Sequence, residues 1–426
     1  MTAFGKRNGV AYGLLGLPLA FVALPLYVIL PNYYAKAFGV PLAILGAILL
    51  GARLFDAFID PLLGRLSDRL FARSAASVLQ AGLLAAVVLA VGFALLFFPQ
   101  VQSLNALVLW ASVMLMVTYA AYSFLSVSHQ SWGAMLGGNE AERSRIVAWR
   151  EGLGLIGVVL ASVTPVALGL TWTTAIFFVA LGIGWLAWTR AVKPTPKTAA
   201  VVDTKANMAI WQPFKHSNFK RLLLVFMLNG IASAVPATLV LFFIQDRLQA
   251  PSSMEPLFLG SYFLTAALSI PLWLAVVKRL GLAKTWLIGM ALSIAVFAWA
   301  TQVVAGQTTA FLTITALSGI ALGTDLTLPG AMLAGAISNN GDSGKSEGAY
   351  FGWWNFATKL NLALAAGLAL PLLGLFGYSP GARGPGALGA LVVAYCVLPC
   401  LLKLAAAAAL YFFIIQPDRQ ALKASL

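Results

Sequence analysis

Charged side chains are scarce in this chain of 426 residues. Asp, Glu, Lys and Arg together make up 9% of it, whereas a soluble domain contains roughly 25%. Hydrophobic residues make up 61% of the chain, and its mean hydropathy is +0.90. Such a chain has too few polar groups to cover its apolar surface in water, so the composition excludes a soluble globular protein and predicts a protein that crosses a membrane many times.

Cysteine and histidine are also rare, with two residues of each type. Cys396 and Cys400 are four residues apart in an apolar stretch, where packing is a better interpretation than a disulfide. Two histidines, one of which is His216 in a polar segment, are too few for a clustered metal or nucleophilic site. We therefore expect neither an enzyme nor a cofactor, although turnover of a lipid-linked substrate without transport would favour a membrane enzyme.

Apolar stretches long enough to cross ~30 Å of hydrocarbon, about 20 residues each, occur twelve times. They lie at residues 9–36, 40–63, 75–98, 104–136, 145–170, 172–192, 219–245, 254–277, 285–305, 309–337, 346–376 and 386–416. Continuous apolar runs favour helices over the alternating strands of a membrane barrel. The predicted fold is all-α, with twelve transmembrane helices in two bundles of six.

The longest polar stretch divides the chain near its middle. Residues 193–218 are rich in Lys, Pro and polar side chains, and they predict a cytoplasmic linker with a short amphipathic helix near Ile210 and Trp211. The predicted bundles are residues 1–192 and 219–426. Such a division into halves is common among secondary transporters.

Basic residues are distributed unequally between the two sides of the predicted spans. Of 27 Lys and Arg residues, 20 lie on the side of the N-terminus, three on the other side and four within spans. The positive-inside rule then predicts that both termini are cytoplasmic. The net charge of +14 is explained by basic loops beside an anionic bilayer, so we expect no nucleic-acid partner.

Three charges interrupt the second predicted span, in "GARLFDAFIDPLLGRLSDR" at residues 51–69. On a helix, Arg53, Asp56 and Asp60 project from one face because they are three and four residues apart. Two carboxylates one turn apart repel each other in hydrocarbon unless a cation or a proton lies between them. The pair predicts a cation or proton site. The alternative is that Arg53 neutralises Asp56 and the trio holds helices together.

Five more ionisable residues fall within or at the ends of spans. Arg150 and Glu151 are adjacent near the start of span five, where a local ion pair is the alternative to a coupling role. Asp325 and Lys359 have no opposite charge on their own helical faces, and they are either functional or paired with each other. Lys403 is expected to extend its ammonium group to the interface.

Aromatic and hydrogen-bonding side chains cluster on spans four and eleven. Aromatic planes beside polar groups suit a sugar ring or another polar organic substrate. The candidate substrate-binding residues are Tyr119, Tyr122, Ser126, His129, Gln130, Trp354, Asn355 and Lys359. Two alternatives stay open, an interfacial aromatic belt that includes Trp132 and Trp353, and a packed, hydrogen-bonded His129.

Several motifs together resemble a known family. "RLFDAFIDPLLGRLSDR", "YG" at Tyr12 and Gly13, "ERSRIVAWRE" before span five and "GAYFGWWNFATKLNLAL" in span eleven are similar to motifs of the glycoside-pentoside-hexuronide:cation symporters. This melibiose-permease-like family is a branch of the major facilitator superfamily. The resemblance extends over both halves and nearly the whole chain.

The resemblance implies roles for particular residues. Asp56 and Asp60 match the acidic pair that binds the coupling cation, and they would be metal ligands if that cation is Na⁺. Arg53, Arg150 and Lys359 match basic residues of the family's spans two, five and eleven. "LLGLPLAF" and "YSFLSVSH" lack the acids with which the melibiose permease contacts sugar, so the substrate class stays open.

We therefore expect an inner-membrane symporter that couples Na⁺ or H⁺ to a sugar, glycoside or related small organic solute by alternating access. It is expected to act as a monomer. The alternative is a proton-coupled carrier or exporter of amphipathic compounds or lysolipids. A channel is disfavoured because the sequence has no repeated filter or ring of charges.

Overall fold

The computed structural model of this protein describes residues 4–194, 210–417 and 420. These residues are almost entirely helical. The part of the predicted linker at residues 195–209 lies outside the described residues. At its described end, residues 210–211 form a turn and Gln212–Lys215 a short 3₁₀ helix, directly after the position of the short helix predicted near Ile210 and Trp211.

Besides this 3₁₀ helix, twelve longer helical segments follow one another along the described chain. They are α1 (Lys6–Tyr27), α2 (Leu30–Phe38), α3 (Leu42–Arg73), α4 (Ala75–Phe97), α5 (Leu104–Met135), α6 (Glu140–Thr189), α7 (Ser217–Arg247), α8 (Ser252–Leu280), α9 (Leu282–Ala300), α10 (Thr308–Asn339), α11 (Glu347–Leu375) and α12 (Pro385–Ile415). Of the described helices, nine are long and apolar enough to cross a membrane. Span one corresponds to α1 with α2, and α6 contains spans five and six.

The helix α6 is long because it contains two spans. Fifty residues at 1.5 Å each would extend about 75 Å, more than twice the thickness of the hydrocarbon. Gly169, with φ of +77°, interrupts the helical backbone near its middle. This left-handed conformation suits glycine, which has no Cβ to clash with the backbone. The kink coincides with the boundary predicted between the two spans.

Packing divides the chain into two units. Unit one comprises Met1–Lys215 together with Ala334–Phe356, and unit two comprises His216–Leu333 together with Ala357–Leu426. The N-terminal part of α11 thus belongs to unit one, although it follows α10 in sequence. The division into two six-helix bundles, residues 1–192 and 219–426, stays a prediction.

Aromatic rings form the centre of each unit. In unit one, Phe177 of α6 packs against Phe21 of α1 and Phe93 of α4, with ring centroids 5.8 and 4.7 Å apart. In unit two, Phe243 of α7 stacks on Tyr395 of α12 at 4.3 Å. Such buried ring pairs fix the helices of each unit against one another.

Candidate functional site

Both acidic residues of span two lie inside unit one. Asp56 and Asp60 on α3 are 1% and 0% exposed, as their four-residue spacing on one helical face predicts. The hydroxyl of Ser123 on α5 donates a hydrogen bond to Asp56 Oδ1 at 2.6 Å. The structure therefore orients at least one carboxylate of the pair through a neighbouring helix.

The guanidinium of Arg53 lies over an aromatic ring. Its Cζ is 4.7 Å from the centroid of the Tyr27 ring, a distance suited to a cation–π interaction. The Tyr27 ring in turn lies 5.7 Å from that of Tyr119 on α5. The Tyr119 hydroxyl is buried and has no hydrogen-bond partner in the described part of the chain. The Tyr119 hydroxyl therefore has hydrogen-bonding capacity that these residues do not use.

A second polar layer lies further along α5. Arg150 of α6 forms an ion pair with Glu151 and donates from Nη2 to the Ser126 hydroxyl at 3.3 Å. Gln130 Nε2 donates to the same hydroxyl at 3.4 Å. The local ion pair between Arg150 and Glu151 therefore exists, and it also links α6 to α5. Tyr122, half-buried, lies one turn before Ser126 on the same helix.

His129 has the environment of a packed residue. It is 0% exposed, its Nε2 lies 2.7 Å from the Tyr12 carbonyl oxygen, and the Tyr12 hydroxyl donates to the His129 carbonyl at 3.0 Å. Its ring centroid lies 4.4 Å from that of Tyr12 and 5.6 Å from that of Trp188. This geometry agrees with the packed, hydrogen-bonded alternative and not with substrate contact. Trp132, which the alternative of an interfacial belt includes, is likewise 0% exposed.

The start of α11 packs closely on α3. A Cβ atom added at Gly64 would lie 2.0 Å from the Gly348 carbonyl oxygen, and one at Gly352 would lie 2.7 Å from the carbonyl oxygen of Asp60. Glycine at these positions permits the two backbones to touch. Trp354, 6% exposed, and half-buried Asn355 follow directly on α11.

One contact between α3 and α11 escaped sequence analysis. The Asp68 carboxylate accepts hydrogen bonds from the backbone nitrogens of Gly348 and Ala349 at 2.6 and 2.9 Å, and so caps the start of α11. This carboxyl lies beyond the predicted span. Burial raises its pKa well above the ordinary range, and the nearby charge of Glu347 raises it further, whereas the two backbone N–H donors lower it. The segment "GRLSDR" draws attention to Asp68, but nothing in this segment indicates that Asp68 binds the start of α11.

Unit two contains a buried ion pair between α10 and α12. Lys403 Nζ lies 2.8 Å from Asp325 Oδ2 and donates a second hydrogen bond to Asn229 at 3.0 Å. Asp325 also accepts from the Trp286 indole at 2.8 Å and from Ser233 at 3.3 Å.

Two sequence-based interpretations are thereby corrected. Asp325 pairs with Lys403 and not with Lys359, and Lys403 is 5% exposed and does not extend to the interface. Lys359 lies in unit two, in the part of α11 that follows Phe356. The pairing was hidden because Asp325 and Lys403 are on different helices, 78 residues apart.

No group of three or more His, Cys, Asp or Glu residues suited to a metal ion occurs within residues 4–194, 210–417 and 420. A cation at Asp56 and Asp60 would need hydroxyl or carbonyl oxygens as further ligands, which hard cations accept. Ser123 is one such oxygen, already within hydrogen-bonding distance of Asp56.

Long membrane helices in two units, with ionisable side chains buried within each unit, define the class of secondary transporters. The family model described as "MFS/sugar transport protein" matches residues 9–417. The chain belongs to this family of the major facilitator superfamily, and the resemblance to its glycoside-pentoside-hexuronide:cation symporters is confirmed. It is a transporter and not an enzyme.

Two curated relatives are symporters by name. The uncharacterized symporter YjmB of Bacillus subtilis (strain 168) is 26% identical over 385 residues, which cover 82% of this chain and 79% of YjmB. YagG of Escherichia coli (strain K12), named as a glycoside/cation symporter, is 27% identical over 158 residues, covering 37% of this chain and 34% of YagG.

Solved structures confirm the major facilitator fold. A bacterial homologue of the iron transporter ferroportin has a TM-score of 0.69 at 14% identity, covering 95% of this chain and 98% of that one. The Escherichia coli fucose:proton symporter has a TM-score of 0.68 at 13% identity, covering 94% and 99%. At such low identity these likenesses concern the fold alone.

Proposed function

We propose that this protein is a symporter that uses Na⁺ or H⁺ to drive uptake of a sugar, glycoside or related small organic solute by alternating access. The observation that carries the proposal is the buried pair Asp56 and Asp60, at 1% and 0% exposure on one face of α3. A cation-coupled carrier needs such a pair, whereas a protein that only packs helices does not benefit from two buried carboxylates one turn apart. The names of YjmB and YagG support the same class.

In this proposal the coupling cation screens the repulsion between the two carboxylates. The loaded pair is stabilised relative to the empty one, and the population shifts toward the state that binds substrate. The Ser123 hydroxyl supports this step because it holds Asp56 in a fixed orientation at 2.6 Å. Arg53 and Lys359 are assigned to charge coupling, as the family resemblance implies.

The proposed substrate site extends along α5. Tyr119 and Tyr122 supply apolar faces, while Ser126 and Gln130 supply hydrogen-bonding groups that Arg150 organises. Trp354 and Asn355 of α11 extend the set within unit one. His129 is left out because Tyr12 and Trp188 enclose its ring.

The decisive experiment is thermal unfolding of the purified protein in Na⁺, Li⁺ or K⁺ at fixed ionic strength and at several pH values. Binding to the folded state raises the midpoint in proportion to RT ln(1 + [L]/Kd). We expect the wild type to be stabilised by Na⁺ and Li⁺ but not by K⁺, and Asp60→Asn to lose the response. Glu255→Gln, an acid at the start of α8, is the matched control and keeps the response.

Stabilisation that follows pH and not the metal would instead make H⁺ the coupling ion. If the unfolding midpoint of Asp60→Asn depends on the metal ion and on pH as fully as that of the wild type, the proposed cation site is refuted. Counterflow in vesicles with labelled methyl galactoside or labelled lysophosphatidylcholine then separates the sugar carrier from the alternative, a carrier or exporter of amphipathic compounds. That alternative is supported by the lack of acids in "LLGLPLAF" and "YSFLSVSH".

We further propose that the protein lies in the inner membrane as a monomer with both termini in the cytoplasm. The distribution of basic residues, 20 against three, supports this orientation. Reporter fusions at the two termini test it, since both must show cytoplasmic activity.

A further inference from the structure

Unit two contains a cavity of about 330 Å³ that the proposed cation and substrate sites do not use. Helices α7, α8, α9, α10 and α12 all contribute to its wall. Its volume is within the range of roughly 300–1,000 Å³ that is usual for small-molecule sites. All of its lining residues belong to unit two, so the cavity is complete within that unit.

The wall of this cavity is mostly apolar and includes five aromatic side chains. They are Phe258, Tyr262, Phe263, Phe297 and Tyr395. Rings of this kind favour a flat or chain-like apolar body, which they contact by dispersion and stacking. Because most of the wall surface is apolar, a sugar ring, with a hydroxyl on nearly every carbon, would leave several of its polar groups without hydrogen bonds here.

Polar groups of the wall include the ion pair of Asp325 and Lys403. The lysine ammonium has three N–H donors, and two of them bind Asp325 and Asn229. One donor remains for a ligand atom. The hydroxyl of Ser318, in the same wall and 9% exposed, has no hydrogen-bond partner among the residues described. Two polar groups of the cavity thus have unused hydrogen-bonding capacity.

The charge balance of the ion pair decides which ligand fits. Asp325 and Lys403 already neutralise each other, so an added carboxylate, phosphate or ammonium would leave one net charge buried against aromatic walls. A neutral hydroxyl, ether or carbonyl oxygen can accept the remaining Nζ–H without this desolvation cost.

We propose that this cavity is a second binding site, which takes a neutral and mostly apolar molecule that carries one oxygen acceptor at its polar end. The acceptor binds Lys403 Nζ or the Ser318 hydroxyl, and the apolar body lies against the aromatic wall. The lining residues of this site belong to unit two, whereas Asp56 and Asp60 belong to unit one.

Binding of tritiated 2-naphthol to the protein in lipid nanodiscs tests the proposal, because 2-naphthol is neutral at pH 7 and has one hydroxyl. We expect saturable binding to the wild type. Unlabelled 2-methylnaphthalene lacks the acceptor and should compete about tenfold less well, as the loss of one buried hydrogen bond implies. Unlabelled 2-naphthoate should also compete at least about tenfold less well, because its carboxylate would leave a net charge buried beside the ion pair.

Two substitutions of the same kind localise the binding. Ala237→Trp fills the cavity from α7 and should abolish binding, whereas Ala298→Trp, at an exposed position of α9 outside the lining, should leave it unchanged. If Ala237→Trp does not fold, Ser318→Leu serves as the second filling variant.

Three outcomes would overturn the proposal: absence of saturable binding in the wild type, unchanged binding in the filled variants, or equal competition by 2-naphthoate. Equal competition by 2-methylnaphthalene would likewise reject the acceptor role and leave a plain apolar groove of the kind that lipid chains occupy. Because no cation is varied, failure here is distinct from failure of cation coupling at Asp60.

Discussion

In the described part of unit two, the Asp325 carboxylate accepts hydrogen bonds from three neighbouring helices. It accepts hydrogen bonds from Trp286, Ser233 and Lys403, while Lys403 donates also to Asn229. A buried ion pair of this kind is stable only while both partners are present, since removal of one leaves an uncompensated charge. Asp56 and Asp60 differ because two like charges share one helix face, and the proposed cation site rests on this arrangement.

Replacing Lys403 should therefore be strongly destabilising. With side-chain exposures of 7% and 13% for Lys403 and Asp325, Lys403→Met should lower the free energy of unfolding by roughly 3–5 kcal/mol. Lys284→Met, at an exposed position of α9, is the control and should change it by less than about 0.5 kcal/mol. Denaturant unfolding in detergent measures both, and equal effects would refute a buried pair.

Ser123→Ala should weaken cation binding without unfolding the protein. Its hydroxyl donates to a buried carboxylate, and hydrogen bonds to charged groups contribute about 1.5–3 kcal/mol. The cation concentration for half-maximal thermal stabilisation should rise at least about tenfold. Ser112→Ala, on the same helix, removes only a bond to the Val108 carbonyl and should leave that concentration unchanged. A response identical in both variants would remove Ser123 from the proposed site.

At the scale of helices, the crossing of α3 and α11 depends on glycine. Gly64 and Gly348 touch through their backbones, and Gly352 touches α3 one turn away. Small residues four apart permit such close approach between membrane helices. The crossing places the acidic pair of α3 beside the aromatic segment of α11 within unit one.

Gly64→Ala should disrupt this crossing. The new Cβ would lie 2.0 Å from the Gly348 carbonyl oxygen. This oxygen is a backbone atom, so it cannot move away by a change of side-chain rotamer. We expect a loss of about 1–3 kcal/mol in the free energy of unfolding, typical of overpacking. Gly51→Ala on the same helix meets no atom within 4 Å and should be neutral or stabilising by up to about 1 kcal/mol. Thermal unfolding compares the two, and a neutral Gly64→Ala would contradict the crossing.

At the scale of the whole molecule, unit one is assembled from two separate parts of the chain. Residues 334–356 complete it, although 118 residues of unit two, His216–Leu333, intervene in sequence. The cap of α11 by Asp68 and the close contact at Gly64 both connect these two parts of unit one. We therefore expect the first half of the chain to be less stable without residues 334–356.

A split protein tests this assembly. A fragment of residues 1–215 expressed alone should unfold at a lower temperature than the same fragment co-expressed with residues 216–426, which supplies 334–356. Asp68→Asn, which removes one of the two carboxylate oxygens that cap α11, should reduce the difference. Equal unfolding temperatures with and without the second fragment would show that unit one is complete without that segment.

The fold class and the acidic pair could be predicted from sequence because their signals are local. Hydropathy over about 20 residues identifies a span whatever it packs against. The four-residue spacing of Asp56 and Asp60 determines that they share a helical face. Similarly, Gly169 lies where the hydropathy already placed a boundary between two spans.

Only the tertiary structure decided which residues of different helices meet. Asp325 pairs with Lys403 and not with Lys359, His129 packs against Tyr12 and Trp188, and Asp68 caps a helix that begins 279 residues later. Such partners depend on how helices cross and rotate, which the pattern along one helix does not specify. The sequence by itself thus determined the membrane fold and the shared face of the acidic pair, while packing between helices decided the pairing of charges and the composition of each unit.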